Sequence, residues 1–154
     1  GAGSTLSLII AMLFFCKSKR ITELGKLALI PGIFGINEPI IFGLPMVLNP
    51  VMVLPFLLIP IFNILVGYAS MAMKLVPITN GVTIPWTTPP VISGFLATDW
   101  RGAVLQIILI IIGIFLYMPF IKAMDKQYLA DEANAVEVAS NDDLDLDSLS
   151  FDDL

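Results

Sequence analysis

Ala103–Ile121 is nineteen residues of apolar sequence with Gln106 as its main polar interruption. At 1.5 Å rise per residue a helix of that length covers about 28 Å, close to the hydrocarbon thickness of a bilayer. A second apolar run, Val51–Met73, ends at Lys74 and carries Pro55, Pro60 and Asn63, which kink a helix or turn a polar group toward neighbouring helices. The whole chain is 57% hydrophobic and 14% charged, against about a quarter charged in a soluble domain. A water-exposed fold with that balance would present large apolar patches and aggregate. The expected fold class is an all-α membrane protein.

The remaining apolar segments are of a different kind. Leu27–Leu48 is broken by Pro31, Gly32, Gly35, Pro39, Gly43 and Pro45, and Leu75–Trp100 by Pro77, Asn80, Gly81, Pro85, Pro89, Pro90 and Gly94. Prolines remove helix hydrogen bonds, and irregular backbone at membrane depth is tolerated only where protein or a wet cavity surrounds it. Both segments are therefore expected to be re-entrant hairpins that enter and leave on one face. Ser4–Phe15 is short for a crossing, lacks a signal peptide's basic flank and cleavage site, and reads as the end of a spanning helix begun upstream. Lys17, Lys19, Arg20 and Lys26 then suggest a cytoplasmic loop, and Lys122 and Lys126 close the last span on the same side. That arrangement leaves Lys74 and Arg101 on the far side, in mild conflict with the charge bias.

Charge divides the chain. Residues 1–122 hold seven Lys/Arg and three acids, a net of +4, whereas residues 123–154 hold one Lys and ten acids, a net of −9. From about Ala130 the composition turns to Asp, Ser, Asn and Leu, and an acidic, disordered tail is expected over 129–154. Leu144, Leu146, Leu149, Phe151 and Leu154 within the tail suit weak partner binding. No basic, aromatic-interleaved surface points to nucleic acid. There is no His, and the single Cys16, beside Phe14 and Phe15, reads as an inert thiol. Neither a metal nor a cofactor is expected.

Glu38 stands out because it lies in the broken apolar segment with no other acid nearby. An ionisable group at membrane depth is costly and usually faces a cavity where it acts. The competing structural readings are an interfacial ion pair or a half-helix cap. Asn37 offers a donor and an acceptor that suit a hydroxyl, or closes the turn before Pro39. Trp86 suits stacking on the apolar face of a sugar, with Thr87 and Thr88 for its rim, or serves as an interfacial anchor. Trp100, between Asp99 and Arg101, reads as an anchor.

Several stretches, in order, resemble a known family. Asn37-Glu-Pro-Ile-Ile-Phe-Gly-Leu-Pro-Met-Val-Leu-Asn-Pro50 is similar to the signature of lactose/cellobiose-type enzyme IIC permeases of the phosphotransferase system. Pro77-Ile-Thr-Asn-Gly81, Pro85-Trp-Thr-Thr-Pro-Pro90 and Ser93-Gly-Phe-Leu-Ala-Thr-Asp-Trp-Arg-Gly-Ala-Val-Leu-Gln106 resemble its following segments, and Gly1-Ala-Gly-Ser-Thr5 the start of the preceding helix. The resemblance covers roughly residues 1–128. It implies the C-terminal, substrate-binding half of an EIIC permease in the bacterial cell membrane, multi-pass, homodimeric when full-length, with its C-terminal tail cytoplasmic. Such a permease imports a β-linked disaccharide of the cellobiose, lactose or chitobiose type. It presents the sugar's 6-hydroxyl to a phosphocysteine on IIB, which IIA recharges.

By the same resemblance the binding-site glutamate falls on Glu38, with Asn37 beside it, and the site tryptophan on Trp86; Thr87, read from its place beside Trp86, completes the expected substrate-binding set, and Glu38 is the expected catalytic residue. The chain departs from the family in lacking the N-terminal half with its site histidine, in a shorter spacing between Thr98 and Asp99, and in the acidic tail. The implied enzymatic role, as the membrane component of a phosphotransferase, needs IIB and that N-terminal half. Two other readings stay open at this point: a truncated permease half that acts only by association with partners, and a sugar facilitator that does not phosphorylate.

Overall fold

The structure, a computed structural model, describes residues 4–44 and 49–148, without the side chains of 137–148. Among these residues six α-helices and no strands occur: α1 Thr5–Phe15, α2 Lys19–Ile33, α3 Glu38–Gly43, α4 Pro50–Ala72, α5 Ile92–Ala97 and α6 Trp100–Ser148. The apolar runs become α4 and the first part of α6. Pro50 opens α4, where its missing N–H is no loss, and the Asn49 side chain caps that end by accepting from Val51 N at 3.0 Å.

Pro50–Ala72 and Trp100–Val136 are both long and apolar enough to cross a membrane, and only 17% of the most apolar stretch of each is buried within the chain. A soluble protein's core helices would be buried. Here Leu57, Leu58, Ile64, Leu65, Ile108 and Phe115 face outward, as lipid or further membrane helices require.

α6 is the spine. α1, α4 and α5 all pack on it, α2 packs on α1, and α3 on α2. The core is formed by Leu8, Ile9 and Met12 of α1, Ile21 and Ala28 of α2, and Tyr117, Ile121 and Met124 of α6. Small residues allow close approach: an added Cβ at Gly113 would lie 2.6 Å from Ser7 Oγ, and Ser7 Oγ donates to Ile110 O at 3.2 Å.

Two expectations are corrected. The Lys17–Lys26 cluster is not a loop: Lys19 onward is helix, with Ile21, Gly25, Ala28 and Gly32 buried at helical spacing and the cations outside. α2 also continues through Pro31 to Ile33, so the broken segment begins later than Leu27. α6 crosses residue 129 without interruption and its backbone is helical to Ser148. Ala130, Glu132, Ala133, Ala135, Glu137 and Ala139 are strong helix formers, and helical propagation from the preceding span removes the nucleation cost. The proposed partner-binding side chains from Leu144 to Leu154 lie outside the described residues.

The far end of this spine holds the start of α2. Ser18 makes no side-chain cap of its own. Instead Asp125, 6% exposed, accepts from Ser18 N at 2.8 Å and from Lys17 N at 3.1 Å. Glu132 accepts from Ser18 Oγ at 2.6 Å and Arg20 N at 3.3 Å, while the Arg20 guanidinium lies 5.0 Å from the Tyr128 ring centre. Two carboxylates of α6 thus satisfy groups at the positive end of the α2 dipole.

The Ser18 hydroxyl, ahead of the Arg20 and Lys19 amides, holds Glu132 below the usual glutamate range. A depressed carboxylate contributes stability above its unfolded pKa and loses it as pH falls through the folded value. Amide exchange at Lys19 and Arg20 is therefore expected to accelerate on acidification through and below the ordinary glutamate range. Glu132→Gln should remove much of that acceleration, and an unchanged profile in the variant would contradict the assignment.

Cys16 lies in the short connection between α1 and α2. Burial, with Asp125 adding to it, pushes its thiol up to about 12. It stays protonated near neutral pH, in line with an inert thiol.

Candidate sugar-binding site

A cavity of about 470 Å³ lies where α1, the end of α2, α4, the Ile84–Pro90 stretch and α6 meet. Its wall is unusual for so apolar a chain, because hydroxyl and amide groups from distant segments converge there: Ser4 and Thr5, Asn63, Thr88, Ser93 and Gln106. Trp86 supplies the aromatic wall and is 77% exposed, so its ring is open to a ligand.

Local sequence explains how each piece is placed. α5 is six residues long and begins after Val91, whose φ of +69° is a costly conformation for a β-branched residue. Gln106, the polar interruption of the span, compensates. Its Oε1 accepts from Val91 N, from Gly94 N at 3.2 Å and from Ser93 Oγ at 3.4 Å. Gly94 and Gly102 let α5 lie directly on α6, since a Cβ on Gly102 would come within 2.8 Å of Gly94 O.

Asn80 forms the turn expected of it. Its Oδ1 accepts from Val82 N at 3.2 Å, with Gly81 at φ +72° between them, and its Nδ2 reaches Leu96 O at 3.0 Å. Gly35, at φ +80°, brings the first broken segment to the second: a Cβ there would stand 3.2 Å from Trp86 O.

The residues singled out from sequence distribute unevenly around this cavity. Trp86 lines it, and so does Thr88, whereas Thr87 is exposed and is not part of the wall. Asn37 sits one hydrogen bond behind the wall, its Oδ1 accepting from Thr5 Oγ1. Glu38 opens α3 beside Asn37, is exposed, and makes no ion pair or side-chain hydrogen bond among the described residues.

Asn63 was legible only as a polar residue in a span. In the structure its Nδ2 donates to Ser4 Oγ at 2.7 Å, while its buried Oδ1 has no partner and belongs to a cavity-lining residue. A buried acceptor without a donor is costly.

Residues 1–60 match the family described as Phosphotransferase system, EIIC. The chain is 48% identical over 134 residues to the PTS system cellobiose-specific EIIC component of Geobacillus stearothermophilus, covering 86% of this chain and 30% of that protein. It is 40% identical over 140 residues to the PTS system lactose-specific EIICB component of Streptococcus mutans, covering 86% and 24%. Among solved structures it superposes on the transporter ChbC, the IIC component of the N,N'-diacetylchitobiose-specific phosphotransferase system. The TM-score is 0.84 at 39% identity, over 86% of this chain and 31% of that one.

The chain belongs to the phosphotransferase-system EIIC family. This EIIC chain spans about 30% of the length of the cellobiose-specific relative. Its all-α fold with spanning helices is the EIIC transporter fold, and its setting is a membrane. Read as an EIIC segment, the cavity gains a chemical sense: hydroxyls and amides complement the rim of a sugar, and an indole complements its apolar face.

Proposed function

We propose that this EIIC chain forms the sugar-binding part of a multi-pass permease in the bacterial cell membrane, one that imports a β-linked disaccharide of the cellobiose, lactose or chitobiose type and couples import to phosphorylation by IIB. The observation that carries the reading is the cavity, a polar pocket with an open tryptophan wall inside an apolar helix assembly. Trp86 stacks on the sugar, Asn63 lines the wall beside it, and Asn37, fixed by Thr5, orients the segment that presents Glu38. Thr87, exposed next to Trp86, contacts the sugar's outer rim.

The sugar's 6-hydroxyl oxygen attacks the phosphorus of phosphocysteine on IIB, the P–S bond breaks, and the cysteine leaves as thiolate. Glu38 accepts the hydroxyl proton, which makes the oxygen a better nucleophile. IIA then recharges IIB. In this reading residues 1–128 are the substrate-binding half of the transmembrane domain, residues 129–154 are a cytoplasmic tail, and the full-length permease is a homodimer. The α2 start and the Lys122–Lys126 end of α6 share the cytoplasmic face, an assignment supported by the contacts of Asp125 with Lys17 and Ser18.

A non-phosphorylating facilitator is favoured by one observation, the position of Glu38 off the cavity wall. One experiment separates the two. Membranes carrying a full-length permease that contains this stretch are given labelled cellobiose, with and without IIB, IIA and a phosphoenolpyruvate supply. Labelled phosphate ester formed only with the complete relay is the expected result. Free disaccharide accumulating irrespective of the relay would reject the phosphotransferase reading.

A further inference from the structure

Lys74, Asp99 and Arg101 are the only charged residues between positions 51 and 121. Both cations line one groove of about 580 Å³ between the C-terminal end of α4 and the first turns of α6, at the opposite end of the spans from Lys17 and Lys122. Asp99 does not neutralise them: it is absent from the groove wall, and its Oδ1 accepts from Trp100 N at 2.8 Å. No ion pair engages Lys74 or Arg101 among the described residues.

Local stability does not explain these two residues. Lys74 takes φ +57° at the turn that ends α4, a left-handed position that favours glycine. Arg101 is the second residue of α6, where the helix dipole disfavours a cation.

The rest of the groove matches a lipid. Trp100, 57% exposed, opens α6 at the end of the span, the kind of position where tryptophan commonly meets lipid headgroups, and the Arg101 guanidinium is 5.6 Å from its ring centre. Beyond it Val104 and Ile108, both exposed, continue along the outward face of the span. Paired cations above an apolar channel suit an amphiphile whose anionic head sits directly on its acyl chains.

We propose that this groove binds an anionic phospholipid, its phosphate between Lys74 and Arg101 and an acyl chain along Val104 and Ile108. Two unpaired cations beside an apolar channel favour an anionic headgroup over a zwitterionic one by Coulomb attraction.

The test is native mass spectrometry of the full-length permease, titrated with phosphatidylglycerol or phosphatidylcholine of identical acyl chains. The expected preference for phosphatidylglycerol falls roughly 5-fold in Lys74→Gln and in Arg101→Gln, and ~20-fold when both are changed. Lys26→Gln, on α2, keeps the preference. Equal binding of the two lipids by the unaltered protein, or a preference that survives in the double variant, would overturn the proposal. Displacement of phosphatidylglycerol by inorganic phosphate alone would overturn it too, since the site would then hold a free anion.

Discussion

Glu38→Gln lowers IIB-dependent sugar phosphorylation by roughly 10²–10⁴-fold, the usual contribution of a positioned general base, and leaves the permease folded. The substitution keeps the size and shape of the side chain and removes only its capacity to take a proton. Glu38 is exposed and has no ion pair or side-chain hydrogen bond among the described residues, so the fold loses no contact with it. Surface changes of that sort shift stability by no more than about 0.5 kcal/mol.

Sugar affinity should change little, because Glu38 lies off the cavity wall that Trp86 and Asn63 line. The loss therefore belongs to kcat, with KM nearly constant, as expected when an interaction made in the transition state is removed. Steady-state kinetics in membranes with a saturating relay give both constants. Phosphorylation at the normal rate would sink the assignment. A rise in KM at constant kcat would make Glu38 a binding group and leave the proton acceptor unidentified.

What could be read from sequence, and what could not, follows from the range of the interactions. The two spans were legible because hydrophobicity is a local property: Val51–Met73 corresponds to Pro50–Ala72, and Ala103–Ile121 lies inside α6. The second irregular stretch was equally legible from its prolines and glycines, which leave only α5 between Leu75 and Trp100. α2 was misread although its signal is present. Ile21, Gly25, Ala28 and Gly32 recur at spacings of four, three and four, but two of the four are glycines, which carry little hydrophobic weight.

The cavity could not be read at all. Its wall takes Thr5, Asn63, Trp86 and Gln106 from four separate segments, and only the packing of α1, α4 and α5 on α6 brings them together. Trp86 was legible as an aromatic suited to sugar. The unpaired acceptor of Asn63 exists only once Ser4 has taken its amide.

Asp125→Ala is expected to destabilise the protein by about 2–4 kcal/mol, since the buried Ser18 N left without a partner costs about 1–3 kcal/mol and the more accessible Lys17 N adds less. The buried carboxylate serves two backbone amides, Lys17 N and Ser18 N, at the point where the chain enters α2. Ser18 is wholly buried, so water does not readily replace the lost acceptor there. The favourable interaction of a negative charge with the positive end of α2 disappears as well. Glu132 cannot substitute, because it is already engaged by Ser18 Oγ and Arg20 N about two turns further along α6.

Asp125→Asn separates the two contributions. Its amide oxygen still accepts from Ser18 N, so the variant loses the charge and one contact, and about 1–2 kcal/mol. Thermal unfolding in detergent should therefore rank wild type above Asn and Asn above Ala. Amide exchange at Lys17 and Ser18 should rise most in the alanine variant, and exchange within α4, which makes none of these contacts, should change least. An alanine variant that melts with the wild type would show that α1 and α2 are held to α6 by their apolar core alone. Because Asp125 is remote from the cavity, whatever activity the folded fraction of the variant retains should keep the wild-type KM for sugar.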